Sequence, residues 1–327
     1  MMRARKIPAN SVARALAKVG DRWSLLILGS AFQGAKRFDD WQRGIGISSN
    51  ILTNRLNHLV RIGCLERVPG GGSRSAGYRL TSMGADLYPV ALMFWRFDRQ
   101  WSTNRALKSA TLTHGVCGCG MTPVLVCARC REPLHARDVR YEPGPGAALE
   151  RMPPPKVSRR SLVTLDGAQG PGLFGDSIDY FGDRWTQLVI ASAFLGLRRF
   201  SDIQERWKIA PNILADRLKL LVDQGMLERR AYQANPERFE YRLTPKGMDI
   251  YPILLALMRW GDRWLATKAG APLILHHRGC GRRLDPLAVC DHCGGVLDRH
   301  DVELRPGTPP AAAQAARGTG RRVRRVP

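Results

Sequence analysis

The apolar positions of this chain fall into one pattern that occurs twice. In its first occurrence, Val12-Ala13-Arg14-Ala15-Leu16 and Trp23-Ser24-Leu25-Leu26-Ile27-Leu28 predict two helices divided at Gly20-Asp21. A short amphipathic segment covers residues 38–43, and Gly44-Ile45-Gly46-Ile47 predicts a tight turn. The next helix starts at Ser48, a suitable N-cap. Its Leu52, Leu56, Leu59 and Val60 lie at i, i+4, i+7 and i+8, which places them on one buried stripe, and Gly63 suits its C-terminal end. Residues 65–68 and 78–81 flank Pro69-Gly70-Gly71-Gly72-Ser73-Arg74, the pattern of two short strands and a flexible loop. A last helix is expected over 83–101, with Leu87, Val90, Ala91, Phe94 and Trp101 as its large apolar positions.

The second occurrence keeps the register. Gly20-Asp21-Arg22-Trp23 returns 162 residues on as Gly182-Asp183-Arg184-Trp185, and Asn50-Ile51-Leu52 returns as Asn212-Ile213-Leu214. One residue enters before Tyr241, after which Tyr78-Arg79-Leu80-Thr81 maps onto Tyr241-Arg242-Leu243-Thr244 and Trp101 onto Trp264. The halves are duplicates, each too long for a solenoid unit and long enough to fold as a domain. The expected divisions are winged domains at 9–105 and 173–268 and Cys-rich ribbons at 111–140 and 273–304. A Pro- and Gly-rich linker at 141–172 and a disordered basic tail at 305–327 complete them.

Short helix, Gly turn, second helix and hairpin is the order of a winged helix-turn-helix. The fold class expected is therefore mainly α with small β-wings (α+β): two winged helix-turn-helix domains, each with a small Cys-rich β module. The second helix of such a pair enters the DNA major groove, and the wing lies along the backbone. Opposite the Leu stripe, and at the helix start, lie Ser48, Ser49, Asn50, Thr53, Asn54 and Asn57. These side chains can hydrogen-bond base edges, while Arg55, Arg61 and the wing's Arg74 can reach phosphates. The second half offers Pro211, Asn212, Ala215, Asp216 and Lys219, with Arg217 in place of Arg55 and Arg238 in the wing. Thr53 has become Ala215 and Asn54 has become Asp216, so two non-identical half-sites are expected.

Charge supports a polyanionic partner. Lys and Arg number 51 against 28 Asp and Glu, a formal net charge of +23, and each cation set against a phosphate releases a counterion. The first 17 residues carry no apolar core of secretory length, and no apolar run reaches the roughly 20 residues of a membrane span. A cytoplasmic, nucleoid-associated protein is expected. In that compartment clustered cysteines point to metal more often than to disulfides.

Of the 8 cysteines, 7 lie in two clusters. His114-x2-Cys117-x9-Cys127-x2-Cys130 follows the first winged domain, and His277-x2-Cys280-x9-Cys290-x2-Cys293 follows the second with the same spacing. Two ligand pairs about ten residues apart can close a tetrahedral site whose sulfur and nitrogen donors suit structural Zn²⁺. Short strands such as Pro123-Val124-Leu125-Val126 would make each cluster a zinc-ribbon-like module. Cys119 aligns with Arg282 and is not counted as a ligand. Cys64 aligns with Met226, which favours an apolar packing role.

These motifs together resemble the HxlR family of bacterial winged-helix regulators. In the first half the resemblance rests on residues 12–16, 20–23, Arg37-Phe38, 47–52, Arg55-Leu56 and 78–81. In the second it rests on residues 181–185, 199–202, 211–214, Arg217-Leu218 and 240–247. The resemblance implies sequence-specific DNA binding, often repression or autoregulation, and dimerisation through the terminal helices. Most members are single-domain homodimers. The duplication therefore suggests an intramolecular pseudo-dimer that sets two recognition helices about one DNA turn apart, roughly 34 Å, with pairing between two chains as the alternative. Some members sense through a Cys just ahead of the first helix; here Asn10 and Gly172 stand there.

Two other function classes compete. A metal hydrolase would need an open coordination position and a carboxylate base shared by both halves; Glu132 aligns with Gly295, and Asp138 and Asp301 align only well beyond the last cysteine. A protein-interaction module would use the ribbons and terminal helices, and salt-dependent DNA affinity separates it from a regulator. No enzymatic activity is expected.

Overall fold

In the computed structural model, residues 6–69, 77–151, 172–175, 177–178 and 184–305 are described. Strand β1 (Lys6–Pro8) leads into α1 (Ser11–Val19), whose start is set by Asn10: its side-chain oxygen accepts the Ala13 N–H at 3.0 Å. Asp21 caps α2 (Arg22–Phe32) in the same way, accepting from the Ser24 N–H at 3.2 Å. Helix α3 (Phe38–Ile45) runs two residues past the expected segment and ends at Gly46, whose φ of 60° suits a residue without Cβ. Helix α4 (Ser49–Arg61) follows, with Leu52, Leu56 and Leu59 fully buried. Ser48 occupies its N-cap position without making a side-chain cap bond. The wing strands β2 (Leu65–Val68) and β3 (Gly77–Leu80) pair antiparallel with Leu65 opposite Leu80.

The single helix expected over 83–101 is two. The short α5 (Ser82–Ala85) is capped by Thr81, and α6 (Tyr88–Trp101) begins beyond Asp86-Leu87 with Pro89 in its first turn. Proline has no N–H to continue the preceding ladder and fits a new helix start. Helix α7 (Arg105–Ser109) closes the half.

The second half repeats this order as α8 (Arg184–Phe194), α9 (Phe200–Trp207) and α10 (Pro211–Asp223). The hairpin β9 (Leu227–Ala234) and β10 (Glu237–Leu243) comes next, then α11 (Pro245–Met248) and α12 (Tyr251–Trp264). One core exchange is compensated: Trp41 and Ile45 in α3 become Ile203 and Trp207 in α9, so each half buries one indole a helical turn apart. Cys64 and Met226 are both fully buried, as an apolar role requires. Burial pushes the Cys64 thiol up to about 12.

The halves interlock. Helix α1 of the first half packs along α12 of the second, so closely that a Cβ on Gly261 would lie 2.4 Å from the Ser11 carbonyl oxygen. In return, the segment opening the second half enters the first. The Phe174 ring lies 5.2 Å from that of Phe94, and the buried Asp98 of α6 accepts the Gly175 and Ser177 N–H groups at 2.9 Å and the Ser177 hydroxyl at 2.7 Å. Two tryptophans repeat one tie in both directions: Trp101 donates to Asp249 at 2.7 Å and Trp264 donates to Asp86 at 2.8 Å. Arg259 and Arg263 add ion pairs to Asp86 at 3.1 and 3.2 Å.

The sequence predicts two separate β modules, but their strands pair across the halves. Strand β4 (Thr111–His114) pairs with β5 (Cys119–Met121) of its own half and with β13 (Val302–Arg305) of the other. Strand β6 (Pro123–Cys127) pairs with β12 (Pro286–Cys290), and β7 (Val139–Pro143) pairs with β11 (Leu273–His277). Every inter-half pairing has its counterpart under the repeat shift, so the ribbons form one pseudo-twofold module. The start of the expected linker is likewise structured. Residues 141–143 belong to β7, and β8 (Leu149–Arg151) pairs with β1, because edge strands tolerate the prolines and glycines that mark a linker in sequence. Residues 152–171 and the expected tail beyond 305 lie outside the described residues. Among the described residues no helix is long and apolar enough to cross a membrane.

Candidate nucleic-acid interface and metal centre

Helices α4 and α10 each bury one Leu stripe and leave the opposite face to solvent. In α4 and its N-cap, Ser48, Ser49, Asn50, Thr53, Asn54 and Asn57 are all exposed. In α10, Pro211, Asn212, Ala215, Asp216 and Lys219 are exposed. The face is partly organised already: Arg67 on β2 donates to the Asn57 side chain at 2.6 Å, which ties wing to helix. Lys219 pairs with Asp223 one turn on, at 2.8 Å.

Arg55 and Arg217 are half-buried rather than free on the surface. Arg55 Nε lies 3.1 Å from Asp21, the cap of α2, so this guanidinium braces the recognition helix against the domain. Arg217 also has a partner. Arg61 is exposed and contacts His58 Nδ1 at 3.0 Å. Arg74 lies outside the described residues. Arg238 is exposed near the tip of the longer second hairpin, where Arg229 lies over the Phe239 ring at 3.9 Å and Arg199 over the Tyr232 ring at 4.5 Å. Sequence reading passed over Ile51, which is 38% exposed on the same helix; an apolar side chain beside exposed Asn50 was the available signal.

The metal-ligand candidates come together in an arrangement that the sequence did not disclose. His114 and Cys117 group with Cys290 and Cys293, while Cys127 and Cys130 group with His277 and Cys280. The ligand sets are exchanged between the halves, as the pairing of β6 with β12 demands. In the first group the Cys117 and Cys290 sulfurs are 4.0 Å apart, and His114 Nδ1 lies 3.5 and 3.3 Å from the Cys117 and Cys293 sulfurs. In the second the Cys127 and Cys280 sulfurs are 3.9 Å apart, and His277 Nδ1 lies 3.2 and 3.6 Å from Cys130 and Cys280. A tetrahedral Zn²⁺ with bonds of about 2.3 Å to sulfur and about 2.0 Å to nitrogen would hold its donors roughly 3.5–3.8 Å apart. Both histidines are almost wholly buried, which fits a ligand role better than a surface one. The Arg282 N–H and the His277 ring pull the Cys280 thiol down to about 7, toward the thiolate that binds metal.

The HxlR-like helix-turn-helix family matches residues 18–106 and 180–269, one match in each half. This chain belongs to that family. It is similar to an HTH-type transcriptional regulator of Mycobacterium tuberculosis (strain ATCC 25618 / H37Rv), Rv3095, at 39% identity over 133 residues, 41% of this chain and 84% of the relative. It is also similar to the HTH-type transcriptional regulator YvaP of Bacillus subtilis (strain 168), at 32% identity over 93 residues, 28% of this chain and 86% of the relative. The solved structure of PA1374 from Pseudomonas aeruginosa is 33% identical, covering 42% of this chain and 92% of that one. Its TM-score of 0.33 is too low to bear on how the halves are arranged. As a tandem HxlR-like protein, the chain is a DNA-binding transcriptional regulator. Its Cys and His groups are placed to hold metal.

Proposed function

We propose that this HxlR-like regulator is a repressor that acts as an intramolecular pseudo-dimer, each chain reading two non-identical half-sites. Support comes from one observation above all: α1, and Phe174 with Ser177, cross between the halves, so the two recognition helices belong to one interlocked body. In this reading α4 enters one major groove through Asn50, Thr53, Asn54 and Asn57, with Ser48 and Ser49 at its entry. Ile51 is available to a thymine methyl. Helix α10 enters the next groove through Asn212, Ala215, Asp216 and Lys219, and Arg61 and Arg238 take phosphates. Arg55 holds α4 in place, and Arg55 and Arg217 reach a phosphate only where the bound geometry frees them. Each Cys3His group holds a structural Zn²⁺ that staples one half to the other; with four donors each, neither site leaves a position for catalytic water. The protein works on the nucleoid in the cytoplasm as a regulator and not as an enzyme.

The test is binding of the full chain to genomic fragments around its own gene, at two salt concentrations and with excess competitor DNA. A protected site that survives competition, with affinity falling steeply with salt, is expected. Weak binding without a preferred fragment would overturn the reading.

A further inference from the structure

The pseudo-twofold symmetry of the Cys-rich module fails at Cys119 and His292, and there it gains donors. Cys119, the first residue of β5, and His292, inside the Cys290–Cys293 turn, bring their side chains together, with Cys119 Sγ 3.5 Å from His292 Nε2. Under the repeat shift these positions are Arg282 and Arg129, two exposed cations, so the second Cys3His group has no such neighbours. Cys119 and His292 also share a member of the first group: the Cys117 sulfur lies with theirs in a cluster whose three ligand atoms are all within 4.8 Å. The turn that carries His292 is fixed to the link between β5 and β6, Asp291 accepting the Thr122 N–H at 2.9 Å.

We propose that Cys117, Cys119 and His292 form a third metal site, occupied by a thiophilic ion such as Zn²⁺ and joined to the first Cys3His site by Cys117 as a bridging thiolate. The inference rests on the reading of the two Cys3His groups as metal sites. Donor chemistry supports it: two sulfurs and one imidazole suit Zn²⁺, and a separation of 3.5 Å is close to that of two donors on one tetrahedral ion. Three protein donors leave the fourth position to water or an exogenous ligand. His292 is exposed, Cys119 half-buried and the fourth position open, so this ion exchanges with solvent more readily than the two inner ions, each held by four protein donors. Binding displaces the Cys119 thiol proton to solvent. The site makes one of the two interdomain staples responsive to free metal and leaves the other indifferent to it.

The experiment is metal counting on the full chain. The protein is equilibrated with excess free Zn²⁺, its bound zinc measured, and the measurement repeated after a wash with a weak chelator. Three equivalents falling to two is expected for the natural chain. Cys119→Ser and His292→Ala should each hold two before and after the wash, and those two retained ions show that each variant folds. Two equivalents in the natural chain, or three in either variant, overturns the third site and leaves the two inner sites standing. No zinc at all in any sample overturns both.

Discussion

Asp98 holds the segment with which the second half enters the first. It is 3% exposed and accepts from the Gly175 and Ser177 N–H groups and from the Ser177 hydroxyl, two of these three donors being backbone groups with no side chain to rearrange. Hydrogen bonds to a charged acceptor contribute about 1.5–3 kcal/mol each, and removing the acceptor leaves buried donors unsatisfied. The three share one carboxylate and are not additive, so Asp98→Ala should cost roughly 3–5 kcal/mol in total. Asp98→Asn keeps one good acceptor oxygen but turns its NH2 toward a donor, and should cost about half as much. At roughly 2 °C per kcal/mol for a domain of this size, Asp98→Ala should lower the melting temperature by about 6–10 °C. The assay is thermal unfolding with zinc present throughout, followed by circular dichroism, with Asp39→Ala on the exposed start of α3 as the control expected to shift little. A shift for Asp98→Ala no larger than that control would refute the interlocked arrangement.

Other expectations follow from single features. The exchanged ligand sets predict that Cys117→Ser/Cys290→Ser removes one inner zinc, whereas Cys117→Ser/Cys127→Ser removes both; metal analysis after a chelator wash gives the reverse if each ribbon closes its own site. Lys208 occupies the left-handed position that Gly46 holds in the first half, with φ of 52° against 60°, so Lys208→Gly should stabilise the protein by about 1 kcal/mol in urea unfolding. The Lys36 and Arg37 N–H groups hold the Asp40 carboxyl below its ordinary value of 3.8. A lowered folded pKa contributes stability that is complete above 3.8 and is lost as pH falls through the folded value, so the natural chain and Asp40→Asn should converge in stability in acid. A difference that grows on acidification would contradict the assignment.

Much of the fold was legible in the chain itself, and so were the boundaries of the recognition helix. The Leu52, Leu56 and Leu59 stripe, the Gly63 end and the wing strands all appear where apolar spacing put them, because each is fixed by local chemistry. What duplication hid is which copy a segment pairs with. Pro123–Cys127 and Pro286–Cys290 have the same pattern, so a strand that could fold back within its own ribbon and one that pairs across halves look alike. The same ambiguity concealed the exchange of Cys pairs, since His-x2-Cys and Cys-x2-Cys spacings are identical in both groupings. Arg55 was legible as a cation but not as a partner of Asp21, thirty-four residues away and set against it only by packing of α2 on α4. Cys119 is not counted as a ligand in the sequence because Arg282 stands at its repeat position, and that lack of repetition is what distinguishes the first metal group from the second.

The most direct test of the central claim is the stoichiometry of the specific DNA complex, determined by native mass measurement on the protected duplex and paired with a footprint of that complex. One chain per duplex protecting two dissimilar half-sites about one helical turn apart is the expected result. Two chains on the same site, or one chain protecting a single half-site, would contradict it and return the regulator to pairing between chains.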